Sequence, residues 1–179
     1  METKIKFDRQ ASESYERRAT RLLNGFYRRV AAEVAAAARP GATVLDVGTG
    51  PGRLPRALAR LRPDLSVHGA DLSPDMVELA RRAGPDIGFE VADVAALPWA
   101  DASLDVIVST LSAHEWPGPE AAAAEFARVL RPGGRLMIYD FRFARLGPLT
   151  AALSRLEQVR RSALHPLSIY ARLTAARTT

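Results

Sequence analysis

The chain has 179 residues, of which 47% are hydrophobic, and its formal net charge is +5. This length is enough for one hydrophobic core of ordinary size and too short for two, so the sequence predicts a single domain over residues 1–179. The absence of cysteine excludes disulfides, thiolate zinc sites, iron–sulfur clusters and cysteine nucleophiles. The N-terminus is charged and lacks the apolar stretch of a secretory signal, so we expect a cytoplasmic protein without a transmembrane segment.

Charge is distributed unevenly along the chain. Residues 1–39 hold nine Lys and Arg against five acids, residues 40–140 hold nine against fourteen, and residues 141–179 hold seven against one. A basic flank can attract nucleic acid, an anionic membrane surface or an acidic substrate, but it is also typical of a solvated helix face. Both interpretations stay open at this point.

The predicted elements alternate between helix and strand. Residues 11–38 have apolar side chains at helical spacing, and Arg39-Pro40-Gly41 ends this first helix. Strands are predicted over 43–47, 66–71, 87–93, 104–109 and 135–141, with helices after Gly52, after the N-cap Ser73 and over 120–130. This order favours an α/β fold with a doubly wound, mostly parallel sheet, in which ligands bind at the carboxyl ends of the strands.

Glycine and aspartate occupy three of these strand ends. The loop at residues 48–52 reads GTGPG, and glycine there either lets the backbone approach a ligand or serves only a tight strand-to-helix turn. Asp71, at the end of the second strand, is placed to accept hydrogen bonds from both hydroxyls of a ribose. Asp93 ends the third strand, where it can accept from an adenine amine, while Leu72 and Met76 offer apolar surface to the ring. Together these residues predict an adenosine site.

Four stretches, at residues 44–52, 69–76, 97–109 and 127–136, carry a family resemblance with every spacing in register. The chain resembles the class I S-adenosylmethionine-dependent methyltransferases, in particular their small-molecule, ubiquinone- and menaquinone-type branch. The resemblance implies a Rossmann-like fold, S-adenosylmethionine as cofactor, and methyl transfer to a small organic acceptor by in-line displacement.

The resemblance also implies a role for each matching residue. The glycine loop would approach the methionine part of the cofactor, Asp46 would hold the loop or the ammonium group through water, Asp71 would bind the ribose, and Leu72 and Met76 would flank the adenine. Asp93 and Val94 would receive the adenine amine, Ser109 would lie beside the methionine part, and Tyr15 would close a lid. The predicted cofactor-binding set is therefore Tyr15, Asp46, Gly48, Thr49, Gly50, Gly52, Asp71, Leu72, Met76, Asp93, Val94 and Ser109.

His114, just past the fourth strand, is the candidate general base. Imidazole titrates at about pH 6.5, which suits proton transfer near neutral pH, but the side chain could instead only shape the cavity or bond a backbone carbonyl. Trp116 and Trp99 read first as packing residues, and Trp116 is the better candidate for a wall of the acceptor site. No metal site is expected.

The acceptor is predicted to be a small molecule, lipophilic or aromatic. A thiolate nucleophile is absent, and Ser-Thr-Leu-Ser stands after the fourth strand where amino-group DNA methyltransferases carry Asn/Asp-Pro-Pro-Tyr, so nucleic acid is disfavoured. Two alternative functions are a non-catalytic methyltransferase-like subunit that binds S-adenosylmethionine or S-adenosylhomocysteine, and a nicotinamide-dependent oxidoreductase. The GxGxG spacing and the Arg-Pro-Gly-Gly turn at residues 131–134 argue against the oxidoreductase.

The C-terminus is where the sequence departs from the family pattern. Residues 1–39 are predicted as a helical lid, residues 40–141 as the cofactor-binding core, and residues 142–179 as a basic helical tail with an amphipathic helix over 149–164. The strand hairpin that closes the family's sheet is therefore expected to be shortened or missing. An exposed fifth strand would then be covered by a helix or by a second subunit in a homodimer.

Overall fold

Seven strands form one sheet in the computed structural model, which describes residues 23–84 and 87–178. The strands are β1 (Thr43–Val47), β2 (Ser66–Asp71), β3 (Gly88–Val91), β4 (Leu104–Thr110), β5 (Leu130–Phe141), β6 (Glu157–Ala163) and β7 (Tyr170–Ala176). The α-helices are α1 (Asn24–Ala37), α2 (Arg53–Leu61), α3 (Pro74–Arg82), α4 (Pro119–Val129) and α5 (Gly147–Ala152). Single 3₁₀ turns lie at Ala113–Glu115 and Leu153–Arg155.

The strand order is β3-β2-β1-β4-β5-β7-β6. The first five strands pair in parallel, and β7 runs antiparallel to both β5 and β6. The order reverses between β1 and β4, which are direct neighbours. In a doubly wound sheet this reversal opens a crevice at the carboxyl ends of the strands, so the topology places a ligand site above β1 and β4.

The central strand β1 is buried on both faces. Val44 packs with the layer formed by α1 and α2, and Leu45 packs with the layer that contains α4. Because successive side chains point to opposite faces of a strand, a strand covered on both sides reads as a continuous apolar run, as Thr43–Val47 does. This run explains why the predicted bounds of β1 are the observed ones, and β2 also has its predicted bounds.

Helix α1 is held against the sheet by a charged cluster around Glu33. The Tyr139 hydroxyl donates to one Glu33 oxygen at 2.9 Å, and Arg172 of β7 lies 2.9 Å from the same oxygen. Burial raises the pKa of Glu33, but the contacts with Arg29, Tyr139 and Arg172 outweigh it and lower the pKa overall.

The predicted helix over 11–38 is observed from Asn24 to Ala37. Its first part, with Tyr15, lies outside the described residues.

The prediction for the C-terminus is wrong. Residues 157–176 form the β6–β7 hairpin, and β7 pairs with the full outer part of β5, from Arg135↔Ala176 to Phe141↔Tyr170. In place of the predicted helix over 149–164, the structure has the end of α5, one 3₁₀ turn and β6. Residues 142–179 are therefore not a helical tail. β6 is an edge strand exposed along most of its length, and its polar sequence EQVRRSA therefore lacks the alternation that marks a strand.

Because β7 pairs with β5, the fifth strand is not the exposed edge strand that a helix or a second subunit was expected to cover. Within residues 23–84 and 87–178, the helices are all too short or too polar to cross a membrane.

Candidate functional site

A cavity of about 540 Å³ opens at the carboxyl ends of the parallel strands. Its walls come from α1, the loop after β1, the start of α3, the loop after β3, and the segment after β4. The predicted site residues that line it are Gly48, Thr49, Gly50, Asp71, Leu72, Met76, Asp93, Val94 and His114. The described residues around it include the carboxylates of Asp71, Asp93 and Glu115 and no Lys or Arg, so the cavity is acidic.

Gly50 joins the glycine loop to the end of β2. Its N–H donates to Oδ2 of Asp71 at 2.7 Å, and its φ of +53° lies in the left-handed region that favours glycine. A Cβ at this position would meet no atom within 4 Å. Gly50 is therefore required by its backbone conformation, and the open space on its side belongs to the cavity.

The two other glycines are required by packing. A Cβ on Gly48 would collide with the side chain of Ser112, and one on Gly52 would lie 2.6 Å from the Phe89 ring. Gly48 still lines the cavity, but Gly52 does not. The left-handed turn at Gly52 starts α2, and its free side is filled by Phe89, so its predicted approach to a ligand finds no support in the cavity lining and stays a prediction.

The Asp71 carboxylate is held by two backbone donors. Oδ2 accepts from Gly50, and Oδ1 accepts from the Ser73 N–H at 3.0 Å. Burial raises the pKa of Asp71 against these two hydrogen bonds, which lower it. Each oxygen keeps a further lone pair, so the carboxylate is rigidly oriented and still able to accept two more hydrogen bonds at the cavity wall.

Asp46 lies beneath the loop, outside the cavity lining, and its predicted role in holding the loop or an ammonium group through water stays a prediction. The side chain is 1% exposed, and its Oδ2 accepts from the Thr49 hydroxyl at 2.8 Å. Burial and the nearby charge of Asp71 raise the pKa of Asp46 to about 8 despite the Thr49 bond. Its Oδ1 is buried with no hydrogen-bond partner within the described part of the chain.

The side of the cavity near β2 and β3 combines apolar and polar groups. Met76 is 3% exposed and Leu72 is 38% exposed, and both line the wall. Asp93 is fixed by its own turn, since its Oδ1 accepts from the Ala95 N–H at 2.9 Å. With Val94 beside it, this end of the cavity combines apolar side chains with the Asp93 carboxylate.

Ser109 does not reach the cavity. It is fully buried in β4, and its hydroxyl lies 2.9 Å from the Ser112 hydroxyl. Ser112, which sequence reasoning missed, lines the cavity in its place and also contacts the Val47 carbonyl at 3.4 Å. Leu111, the residue before it, has a φ of +56°, a strained backbone conformation for a bulky side chain. This conformation turns the chain sharply at the end of β4.

His114 pairs with Asp140 at the end of β5. Its Nδ1 lies 2.9 Å from Oδ1 of Asp140, whose side chain is 0% exposed. The same carboxylate accepts the backbone N–H groups of His114 at 3.1 Å and of Phe141 at 2.8 Å. Because a carboxylate only accepts, this contact assigns the ring proton to Nδ1 and leaves Nε2 as the basic nitrogen. The sequence alone did not predict this pairing.

Aromatic side chains form the remaining wall. Phe141 lies 5.8 Å from the His114 ring between centroids, and Trp116 packs on Phe126 at 5.6 Å while it lines the cavity. Tyr27 lines it from α1, and its only sequence signal was a place on the predicted lid helix. Trp99 packs against the core instead.

The strand order and the acidic cavity, which opens beside the glycine loop where the order reverses between β1 and β4, are those of a Rossmann-like α/β domain with a nucleoside-type site. A family model described as "Methyltransferase domain" matches residues 45–138. The chain therefore belongs to the methyltransferase-domain family. This membership confirms the predicted family and its S-adenosylmethionine cofactor.

Individual relatives agree with this assignment. The chain is 37% identical over 114 residues to a demethylmenaquinone methyltransferase of Renibacterium salmoninarum, covering 64% of this chain and 47% of the relative. It is 36% identical over 141 residues to a malonyl-[acyl-carrier protein] O-methyltransferase of Hahella chejuensis, covering 76% and 48%. The chain thus spans about half the length of the curated relatives it matches.

A solved structure shows the same fold. The TehB-like SAM-dependent methyltransferase of Corynebacterium glutamicum superposes with a TM-score of 0.78 over 96% of this chain and all of the other, at 24% identity.

Proposed function

We propose that this protein transfers a methyl group from S-adenosylmethionine to a small organic acceptor. The observation that carries the proposal is the Asp71 carboxylate, oriented by Gly50 and Ser73 at the wall of an acidic cavity. Family membership supports the same reaction class.

The residues around the cavity fit the donor chemically. Asp71 has two lone pairs for the two hydroxyls of a ribose, and Leu72 and Met76 supply an apolar slot for adenine next to Asp93. The space beside Gly50 has room for the methionine part. Asp46 lies below the same loop and accepts from the Thr49 hydroxyl, which supports its proposed role in holding the loop. A cavity with three carboxylates and no cation in its described lining suits a molecule with a net positive charge.

When bound, S-adenosylmethionine supplies an electrophilic methyl group, whose bond to sulfur breaks with its electron pair left on sulfur as the bond to the acceptor forms. The protein's task is to align the acceptor and to exclude water. In this proposal His114 Nε2 removes the acceptor's proton, and Asp140 holds the ring in the tautomer that makes this proton transfer possible. An acceptor with an acidic hydroxyl or activated carbon fits such a base.

The acceptor side of the cavity favours an apolar ligand. Phe141, Trp116 and Tyr27 give the cavity an aromatic wall, and Phe141 contacts the His114 ring. We infer a lipophilic or aromatic small molecule, and the relatives named for demethylmenaquinone and for malonyl-[acyl-carrier protein] support a non-nucleic-acid acceptor. A cytoplasmic location and a homodimer stay predictions.

The first test is calorimetry followed by turnover. The protein should bind S-adenosylmethionine and S-adenosylhomocysteine and give no heat with NAD. It should then release S-adenosylhomocysteine when supplied with a panel of phenols and reduced quinones, and not with simple primary amines. A protein that binds the cofactor but methylates none of these compounds would contradict the proposed acceptor class, and one that does not bind it would contradict the proposal as a whole.

A further inference from the structure

Two neighbouring loops expose large apolar side chains at the site's edge of the sheet. We call residues 142–146 and 164–169 the rim loops. Phe143 is 76% exposed in the first, and Leu167 and Ile169 are 89% and 57% exposed in the second. The loops are joined by the Arg142 N–H, which donates to the Ile169 carbonyl at 2.7 Å, and by the Arg142 guanidinium, which donates to the Pro166 carbonyl at 3.0 Å. The three apolar side chains therefore belong to one patch.

This patch is continuous with the cavity. The Phe143 ring stacks on Phe141 with centroids 5.1 Å apart and an interplanar angle of 10°. Phe141 in turn lines the cavity and contacts the His114 ring edge-on. A line of three rings thus leads from the cavity to the exposed apolar surface.

The rim loops are surrounded by cations. Arg142 and Arg145 lie in the first loop, and Arg161 of β6 donates to the carbonyl oxygens of Arg142 and Ala144 at 3.0 and 2.9 Å. No carboxylate pairs with these three arginines in the described ranges, and residues 141–179 carry seven Arg against Glu157 alone. The patch therefore combines exposed apolar tips with an uncompensated positive charge.

We propose that the rim loops dock the protein on an anionic lipid bilayer. Phe143, Leu167 and Ile169 enter the boundary between head groups and acyl chains, and the surrounding arginines contact the lipid phosphates. Docking in this orientation turns the mouth of the cavity toward the bilayer, so that a lipophilic acceptor reaches His114 without crossing water. This last step rests on the proposed function, whereas bilayer binding itself does not.

Other occupants fit the patch less well. A two-fold contact with a second copy would bring the arginines of both rims together, because the same surface meets itself in such an interface. Single-stranded nucleic acid would use stacking rings, and two of the three exposed side chains are aliphatic. A bilayer accommodates aliphatic and aromatic tips equally and provides the opposite charge.

Co-sedimentation with vesicles tests the proposal on the full chain. The protein should bind vesicles of phosphatidylcholine that contain about a third of the anionic lipid phosphatidylglycerol. It should bind vesicles of pure phosphatidylcholine several-fold less. The double variant Phe143→Ser/Leu167→Ser should weaken binding about tenfold or more, because both side chains lose their apolar burial. Arg145→Glu should weaken binding to the anionic vesicles and reduce its salt dependence.

Positions for matched controls lie at the end of α2, outside the rim loops. Leu61 is 53% exposed at the end of α2, and Arg60 beside it is also exposed, so Leu61→Ser and Arg60→Glu should bind vesicles like the wild type. Asp71→Ala should also bind them like the wild type, which separates docking from cofactor binding. The proposal is overturned if the wild type does not distinguish the two vesicles, if the controls lose as much binding as the rim variants, or if light scattering shows a dimer that the rim variants dissociate.

Discussion

Nδ1 of His114 lies 2.9 and 3.0 Å from the two carboxylate oxygens of the fully buried Asp140. The two residues are 26 positions apart in sequence and meet because β4 and β5 are parallel neighbours that end at the same edge. A buried carboxylate orients the imidazole and stabilises its charged form. This pair gives the proposed proton transfer a specific direction, from the acceptor to Nε2.

Replacing either member of the pair should slow methyl transfer without weakening cofactor binding. We expect His114→Ala to lower kcat by about 10²- to 10⁴-fold, the usual contribution of a general base. Asp140→Asn should lower kcat as well, because the imidazole loses the carboxylate that orients it. Stopped assays at several pH values and calorimetry with S-adenosylmethionine measure the two effects.

His68→Gln is the matched control for this prediction. His68 lies in β2 outside the cavity, so its replacement should leave kcat and the pH profile unchanged. An Asp140→Asn protein that folds normally and keeps the wild-type kcat would show that Asp140 only supports the structure.

Asp71→Asn should lower the affinity for S-adenosylmethionine by about 100-fold, since two hydrogen bonds to a charged acceptor are weakened, each contributing about 1.5 kcal/mol or more. The variant keeps one oxygen for the Gly50 or Ser73 N–H, so it should fold. Titration calorimetry measures the change. Asp75→Asn, at the start of α3 but outside the cavity lining, should bind the cofactor normally, and a comparable loss there would remove the ribose assignment.

The sequence predicts those parts of the site that depend on one strand and the loop after it. Asp71, Gly50 and His114 follow predicted strands and line the cavity, while their roles toward a ligand stay predictions. The Asp140 contact depends on the register of β4 against β5, which one strand alone does not specify. Ser109 was assigned by resemblance, but its side chain faces the core, and Ser112 reaches the cavity after the sharp turn at Leu111.

The hairpin was missed for a similar physical reason. β6 packs one edge on β7 and exposes most of its side chains, so its composition reflects solvent and not the sheet. β7 does alternate, with Ala171, Leu173 and Ala175 buried, but its small side chains give a weak apolar signal.

Asp46 should make the stability of the protein fall as pH rises. Burial raises the pKa of this carboxyl from 3.8 to about 8 in the folded state. Between these values the folded protein binds a proton that the unfolded chain has lost, so the free energy of unfolding decreases with increasing pH over that range. Asp46→Asn removes this titration, and its melting temperature should gain on the wild type from pH 5 to pH 8.

Thermal unfolding followed by circular dichroism at unit steps of pH measures this difference. Asp75→Asn should follow the wild-type curve. A constant difference between Asp46→Asn and the wild type at every pH would show that Asp46 is ionised in the folded protein.

Gly48 and Gly50 should respond differently to alanine although both have positive φ. Gly50→Ala adds a Cβ in open space and should cost only the left-handed conformation, about 1–2 kcal/mol. Gly48→Ala adds the collision with Ser112, whose Cβ would lie 2.6 Å from the new atom, and should cost about 1–3 kcal/mol more. Urea denaturation of both variants measures the difference. In a Ser112→Gly background the collision disappears, so Gly48→Ala should there cost no more than Gly50→Ala. Equal costs of Gly48→Ala with and without Ser112 would mean that the loop after β1 moves freely away from the end of β4.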